Sequence, residues 1–184
     1  MRQSINPPSI AVVMGVAGAG KTTVGERLAQ WLNWEFIEGD RLHPPENVAK
    51  MQSGQPLTDI DRAPWLGAIA RAIAAWQARN ACGVITCSAL KRAYRRRIIG
   101  ERIGVRLVFL DGSRELIAQR LAARLGHFMS PSLLDTQFAI LEPPGADENP
   151  ISVTIDQPVD RIVELIAAQL RAGPGPARRS ALTG

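Results

Sequence analysis

The amino-acid sequence predicts an α/β fold built around one parallel sheet, and three observations carry that reading. Short, continuous apolar runs alternate with segments of helical spacing along the chain. The first run stops at a glycine-rich loop that opens directly into a helical pattern. Finally, 46% of the 184 residues are hydrophobic, which suffices for one full core, whereas two domains would each be small at this length.

Ile10-Ala11-Val12-Val13-Met14 is apolar throughout and ends at Gly15, the signature of a strand buried on both faces. Behind the loop, Lys21 to Leu32 places Val24, Leu28 and Leu32 on one helical stripe. Trp34 to Ile37 reads as a short second strand. Further strands are expected at Gly83 to Cys87, Val105 to Leu110 and Ile151 to Ile155, with helices over Asp61 to Arg79 (Pro64 in its first turn), Lys91 to Ile99, Ser113 to Arg124 and Val159 to Leu170. Right-handed crossovers then make the sheet parallel and cover both its faces, and ligands gather beyond the carboxyl ends of the strands.

Charge and cysteine content narrow the class. The net charge is +5, but Arg2, Arg171, Arg178 and Arg179 lie in end segments without an acid; without them 18 basic residues face 17 acidic ones. So neutral a core has no general footprint for a nucleic acid, and surface aromatics are not interleaved with the basic run Arg92 to Arg97. No apolar run approaches the roughly 20 residues that cross a bilayer, so a soluble, cytoplasmic protein without membrane partners is expected. Cys82 and Cys87 flank one strand, too far apart along it to bridge, and read as free thiols. The expected organisation is a flexible N-terminus over 1–9, a single domain over 10–171 and a disordered basic tail over 172–184.

The glycine loop Gly15-Val16-Ala17-Gly18-Ala19-Gly20-Lys21-Thr22 has the Walker A spacing, and it sits between strand and helix as that motif requires. Its backbone N–H groups and the helix N-terminus attract phosphate oxygens, implying ATP as a ligand. Lys21 is placed to bridge the β- and γ-phosphates, and the Thr22 hydroxyl to ligate Mg²⁺, with Thr23 as a spare hydroxyl. Glu38-Gly39-Asp40 follows the second strand, which puts both carboxylates at the sheet's carboxyl edge beside this loop. One such carboxylate can orient an acceptor hydroxyl and take its proton, and another, Glu38, can hold an Mg²⁺-bound water. Asp40 also suits a helix N-cap, and the two roles are compatible. Asp111 ends an apolar run and reads either as a second metal-side carboxylate or as a cap before Ser113. Trp31, Trp34, Trp65 and Trp76 read as core and interface packing.

Gly39-Asp40-Arg41-Leu42-His43-Pro44, then Lys50-Met51 with Gly54, Pro56-Leu57 and Asp61-Arg62 before Pro64-Trp65-Leu66, and later Cys87-Ser88-Ala89-Leu90-Lys91 with Tyr94-Arg95, closely resemble the gluconokinase family. Gly126-His127-Phe128, Gln137, Leu141-Glu142, Gly145 to Glu148 and Asp156-Gln157-Pro158 continue the likeness, which spans about residues 10 to 170. The resemblance implies a P-loop kinase three-layer sandwich with a five-stranded parallel sheet, an acceptor-binding helical segment near 40–80 and a lid near 124–140. It also implies transfer of the γ-phosphate of ATP to gluconate, with Mg²⁺, in a homodimer. Glu38 departs from the family pattern, where Asp is expected.

Carried over residue by residue, the resemblance makes Asp40 the residue that orients the acceptor hydroxyl. His43 is either a contact to a sugar hydroxyl or structural. Lys50 and Arg62 either meet the acceptor's carboxylate or are surface charges, Arg62 pairing with Asp59 or Glu46. Lys91 is the stronger candidate for that carboxylate or for the transferring phosphate, with Arg95, one turn on, second. Arg120 and Arg124, also one turn apart, point to the ATP phosphates from the lid, Arg124 catalytically; His127 contacts the acceptor or caps the lid. Gln157 and Pro158 border the adenine. Other small-molecule kinases, and a regulatory P-loop protein gripping nucleic acid, are the alternative readings.

Overall fold

The computed structural model describes residues 9–123 and 131–172. Five strands, β1 (Ile10–Met14), β2 (Glu35–Glu38), β3 (Gly83–Thr86), β4 (Val105–Asp111) and β5 (Ile151–Thr154), form one sheet in the order β2-β3-β1-β4-β5. Every neighbouring pair is parallel. The central strand β1 is fully buried, as its unbroken apolar run requires. Because β1 sits between β3 and β4, the chain crosses first to one side of it and then to the other. The carboxyl ends of β1 and β3 therefore open the crevice where ligands bind in such sheets.

Seven α-helices are seen among the described residues: α1 (Lys21–Leu32), α2 (Pro45–Gln52), α3 (Asp59–Ala78), α4 (Arg92–Ile98), α5 (Arg114–Ala122), α6 (Pro131–Ile140) and α7 (Val159–Arg171). Helix α1 lies on the sheet so closely that a Cβ at Gly25 would stand 2.8 Å from Thr86 Cγ2 and 3.0 Å from Phe36. On the sheet's other face the Trp76 ring of α3 covers the start of β3, where a Cβ at Gly83 would lie 2.6 Å from it. None of these helices is long and apolar enough to cross a membrane.

The elements differ from expectation at their ends, for local reasons. Helix α3 begins at Asp59, because Thr58 caps it: Thr58 Oγ1 accepts the Asp61 N–H at 3.2 Å while Asp61 Oδ2 accepts the Thr58 N–H at 2.9 Å. Pro64 consequently falls in the second turn of α3. Ser113 is itself the cap of α5, accepting the Leu116 N–H at 3.2 Å, and Asp111 stays exposed at the end of β4. Helices α2 and α6 were not expected; α6 occupies the described part of the expected lid. Both cysteines are free, and burial pushes the Cys87 thiol up, with Asp40 adding to the effect. Trp65 and Trp76 are core residues, but Trp31 is 48% exposed.

One buried ion pair ties the two halves of the fold together. Arg95 of α4 is 2% exposed, and its Nε and Nη2 donate to Glu148 at 2.6 and 2.8 Å. Its Nη1 donates to the carbonyls of Ala89, Leu90 and Glu142. Glu148's carboxyl is held below its ordinary value of 4.5, by Arg95 first and against its own burial. Its contribution to stability is therefore present above pH 4.5 and is lost as pH falls through the lower folded value. Arg95→Met, which leaves Glu148 buried without its partner, is expected to lower unfolding free energy by about 3–5 kcal/mol at neutral pH. Denaturant titrations should show that deficit shrinking below pH 4.5; a variant as stable as the parent at pH 7 would refute the pairing.

Candidate active site

The loop from Gly15 to Lys21 joins β1 to α1 in a conformation that needs glycine. Gly18 and Gly20 have φ of +83° and +90°. A Cβ at Gly18 would press into Leu121 at 2.9 Å, so that side of the loop is closed against α5. At Gly20 no described residue comes within 4 Å of that position, so among the described residues the cradle over the start of α1 is open. Helix α1 has neither a capping side chain nor an acidic residue in its first turn, so its N–H groups and positive end face this cradle unneutralised by their own helix. Such an arrangement binds phosphate. Lys21 starts α1, its Nζ 3.1 Å from the Val16 carbonyl, and the hydroxyl residues Thr22 and Thr23 are exposed beside it. The Ala17 N–H donates to Gln137 Oε1 of α6 at 2.7 Å.

The acceptor side hangs on the end of β3. Thr86, fully buried, accepts the Gly39 N–H on Oγ1 at 3.2 Å and donates its own hydroxyl proton to Glu38 Oε1. Gly39 is so close to β3 that a Cβ there would stand 1.9 Å from the Thr86 carbonyl oxygen. Trp65 of α3 donates Nε1–H to the Gly39 carbonyl at 2.8 Å. The chain then turns through a short 3₁₀ helix, Gly39–Leu42, which leaves Asp40 exposed at the sheet's carboxyl edge. Asp40 caps no helix there: Glu38 holds the cap position, and no side chain caps it.

His43 follows, its ring stacked on Trp65 with centroids 4.2 Å apart. Asn47 Nδ2 lies 2.7 Å from the Asp61 carbonyl, an acceptor only, which fixes that atom as the amide nitrogen. The same Nδ2 is 3.3 Å from His43 Nδ1, so Nδ1 accepts and the ring proton sits on Nε2. Burial lowers the His43 pKa; Asp40 opposes this and Arg62 adds to it. At neutral pH the ring is thus a neutral donor through Nε2.

The expected cations divide sharply. Lys50 is bound to Asp61 at 2.7 Å, and its hydrogen bond, with those from Thr58, draws the Asp61 carboxyl down to about 2. Lys91 is bound to both oxygens of Asp59 at 2.8 and 2.9 Å, and Tyr94 donates its hydroxyl to the same carboxylate. Arg95 is a buried structural arginine, and the expected acceptor contact does not carry over to it. Arg62 makes no ion pair among the described residues, correcting the pairing with Asp59 or Glu46. It lies over the Tyr94 ring at 6.0 Å, and its charge is felt by His43, Asp59 and Cys87. Cys87, just past the carboxyl end of β3, also feels the charges of Asp40 and Lys21.

On the nucleotide side, Arg120 of α5 donates Nη2–H to the Ile155 carbonyl, just before Asp156-Gln157-Pro158. That bond ties Arg120 to the backbone two residues before Gln157, whose Nε2 is itself tied to Thr154 O at 2.9 Å. Arg124 and His127 lie outside the described residues. Sequence reasoning missed Asn47, Thr86, Asp59 and the Gln137 contact. Only Asn47 carried a local signal, four residues after His43 on the helix that Pro45 opens.

Comparisons with known proteins identify the family. The shikimate kinase family model matches residues 17–136. A gluconokinase of Gluconobacter oxydans is 49% identical, with 90% of this chain and 93% of that protein aligned. The thermoresistant gluconokinase of Escherichia coli is 42% identical, over 89% and 94%. A solved gluconokinase structure from Sinorhizobium meliloti superposes with a TM-score of 0.82 at 46% identity, covering 91% of this chain and 94% of its own. Shikimate kinase from Aquifex aeolicus, at 18% identity and a TM-score of 0.56 over 89% and 96%, shares the fold. With its glycine cradle, its acceptor-side carboxylate at the end of β2 and relatives this similar over most of their length, the chain belongs to the gluconokinase family of P-loop kinases.

Proposed function

We propose that this protein transfers the γ-phosphate of ATP to gluconate, giving 6-phosphogluconate and ADP. The observation that carries the reading is the carboxyl edge of the sheet: the glycine cradle and Lys21 follow β1, while Asp40 follows β2 and is anchored through Gly39 to Thr86 at the end of the neighbouring β3. Family membership supports ATP and gluconate as the pair of substrates. A cytoplasmic homodimer is part of the same proposal, as the resemblance of the motifs implies.

In this reading the glycine cradle holds the ATP phosphates and Lys21 offsets charge on the β- and γ-oxygens as the bond between them breaks. Asp40 accepts a hydrogen bond from gluconate's terminal hydroxyl and takes its proton as that oxygen bonds to phosphorus in line with the departing ADP. His43 donates Nε2–H to a neighbouring hydroxyl. Arg62 pairs with the substrate carboxylate, for which a planar guanidinium is well shaped. Arg120 lies toward the adenine with Gln157 and Pro158, and Arg124 is proposed to reach the transferring phosphate.

The residues present fit Mg²⁺. Glu38 Oε2 is buried without a hydrogen-bond partner among the described residues while Oε1 takes the Thr86 proton, and Thr22 is exposed beside Lys21. One hydroxyl and one carboxylate, acting directly or through water, are what Mg²⁺ uses alongside substrate phosphates. The ion supplies charge neutralisation to the β- and γ-phosphates when bound.

The test of substrate is coupled ADP release at fixed Mg²⁺-ATP with gluconate, other aldonates, glucose, shikimate and nucleoside monophosphates. Strong stimulation by gluconate is expected; a response confined to another acceptor would replace the substrate, and a flat panel would overturn the kinase reading. For the carboxylate contact, Arg62→Ala is expected to raise the KM for gluconate about 10–100-fold, as loss of a charged hydrogen bond implies. The KM for ATP should stay within about twofold. An unchanged gluconate KM would assign the carboxylate elsewhere.

A further inference from the structure

The hydrogen bond between α6 and the glycine loop belongs to no role described so far. Ala17 lies in the stretch whose backbone N–H groups form the phosphate cradle, yet its N–H is engaged by Gln137 Oε1 at 2.7 Å, from a residue 120 positions away. Any phosphate oxygen bound by this N–H would have to take the place of that amide oxygen. One N–H cannot serve both acceptors at full strength. Helix α6 is also anchored elsewhere: Arg114 reaches Asp135 at 2.6 Å. Immediately beyond its C-terminal end, the Glu142 N–H donates to the Leu90 carbonyl at 2.9 Å, and Glu142 Oε2 accepts the Arg92 N–H at 2.6 Å. Those two residues flank Lys91, which holds Asp59 at the acceptor segment.

We infer that Gln137 is a positioning residue of the phosphate site: its side-chain amide oxygen holds the Ala17 N–H while the loop is empty and yields it to a phosphate oxygen of the incoming nucleotide. Release of this contact frees α6 from the loop, and the strand of hydrogen bonds from Glu142 to Leu90 and Arg92 carries the change to the acceptor segment. Nucleotide therefore binds against a built-in competitor.

The inference rests on the nucleotide-site reading above, and one titration separates the two. AMPPNP with Mg²⁺ is titrated into the full-length protein and its Gln137→Ala and Gln137→Glu variants, with melting temperature as a check on folding; Gln137→Asn, too short to reach, replaces an Ala variant that does not fold. Removing the competitor is expected to tighten AMPPNP roughly 2–10-fold, the range of one net hydrogen bond. Gln137→Glu keeps the acceptor and adds charge against the triphosphate, and is expected to weaken binding roughly tenfold. A merely structural glutamine would not move the two variants in opposite directions. Unchanged or weaker binding by Gln137→Ala overturns the inference alone, whereas failure of the parent protein to bind AMPPNP overturns the nucleotide site on which it rests.

Discussion

The site depends on one buried hydroxyl. Thr86 ends β3 at zero exposure, and its Oγ1 simultaneously accepts the Gly39 N–H and donates to Glu38. Gly39 is forced against the Thr86 carbonyl, where no side chain fits, and its own carbonyl is taken by the Trp65 indole. This chain of contacts pins the end of β2 to β3 on one side and to α3 on the other. Asp40 is the next residue. Buried polar groups left unmatched are costly, so the geometry of these partners is tightly determined. The glycine cradle, by contrast, is built on β1 and α1, and the two half-sites meet because the parallel register sets Val13 of β1 beside Thr86.

Charge on the acceptor side is distributed by the same logic of matching. Lys50 and Lys91 are matched by Asp61 and Asp59, two carboxylates of the first turn of α3, where they also favour the helix N-terminus. Arg95 and Glu148 are matched in the interior, and their pairing holds the segment after α6 against the loop that carries Lys91. Arg62 has no ion pair among the described residues and lies over the Tyr94 ring; in the proposed reaction it meets the carboxylate that the substrate brings.

Much of this was legible in the sequence. Strand β1 was readable as a continuous apolar run and β3 and β4 as largely apolar ones, whereas β2, with a glutamate at each end, shows only Phe36-Ile37; α1 matches its expected bounds because Val24 and Leu28 pack on the sheet at helical spacing. The glycine loop was readable from spacing and context together. The expected start of α3 at Asp61 falls two residues late because the Thr58–Asp61 capping box sets it at Asp59, and α2, which Pro45 opens, has no counterpart among the expected helices. The role of Arg95 was not legible: Glu148, 53 residues away, decides that this arginine is internal while Arg96 and Arg97 stay exposed. Likewise no local pattern joins Gln137 to Ala17. Chemistry that depends on one chain segment was readable, and chemistry that depends on which distant partner arrives was not.

The central claim, that the buried Thr86 hydroxyl positions the acceptor carboxylate, is tested most directly by Thr86→Val, which keeps the branched shape and removes the oxygen. Gluconate-dependent kcat should fall by roughly tenfold or more while AMPPNP affinity measured without Mg²⁺ stays within about twofold, because the glycine cradle on β1 and α1 keeps all its own contacts. Thr86→Ser should retain most of the rate. A folded Val variant with unchanged kcat would contradict the account.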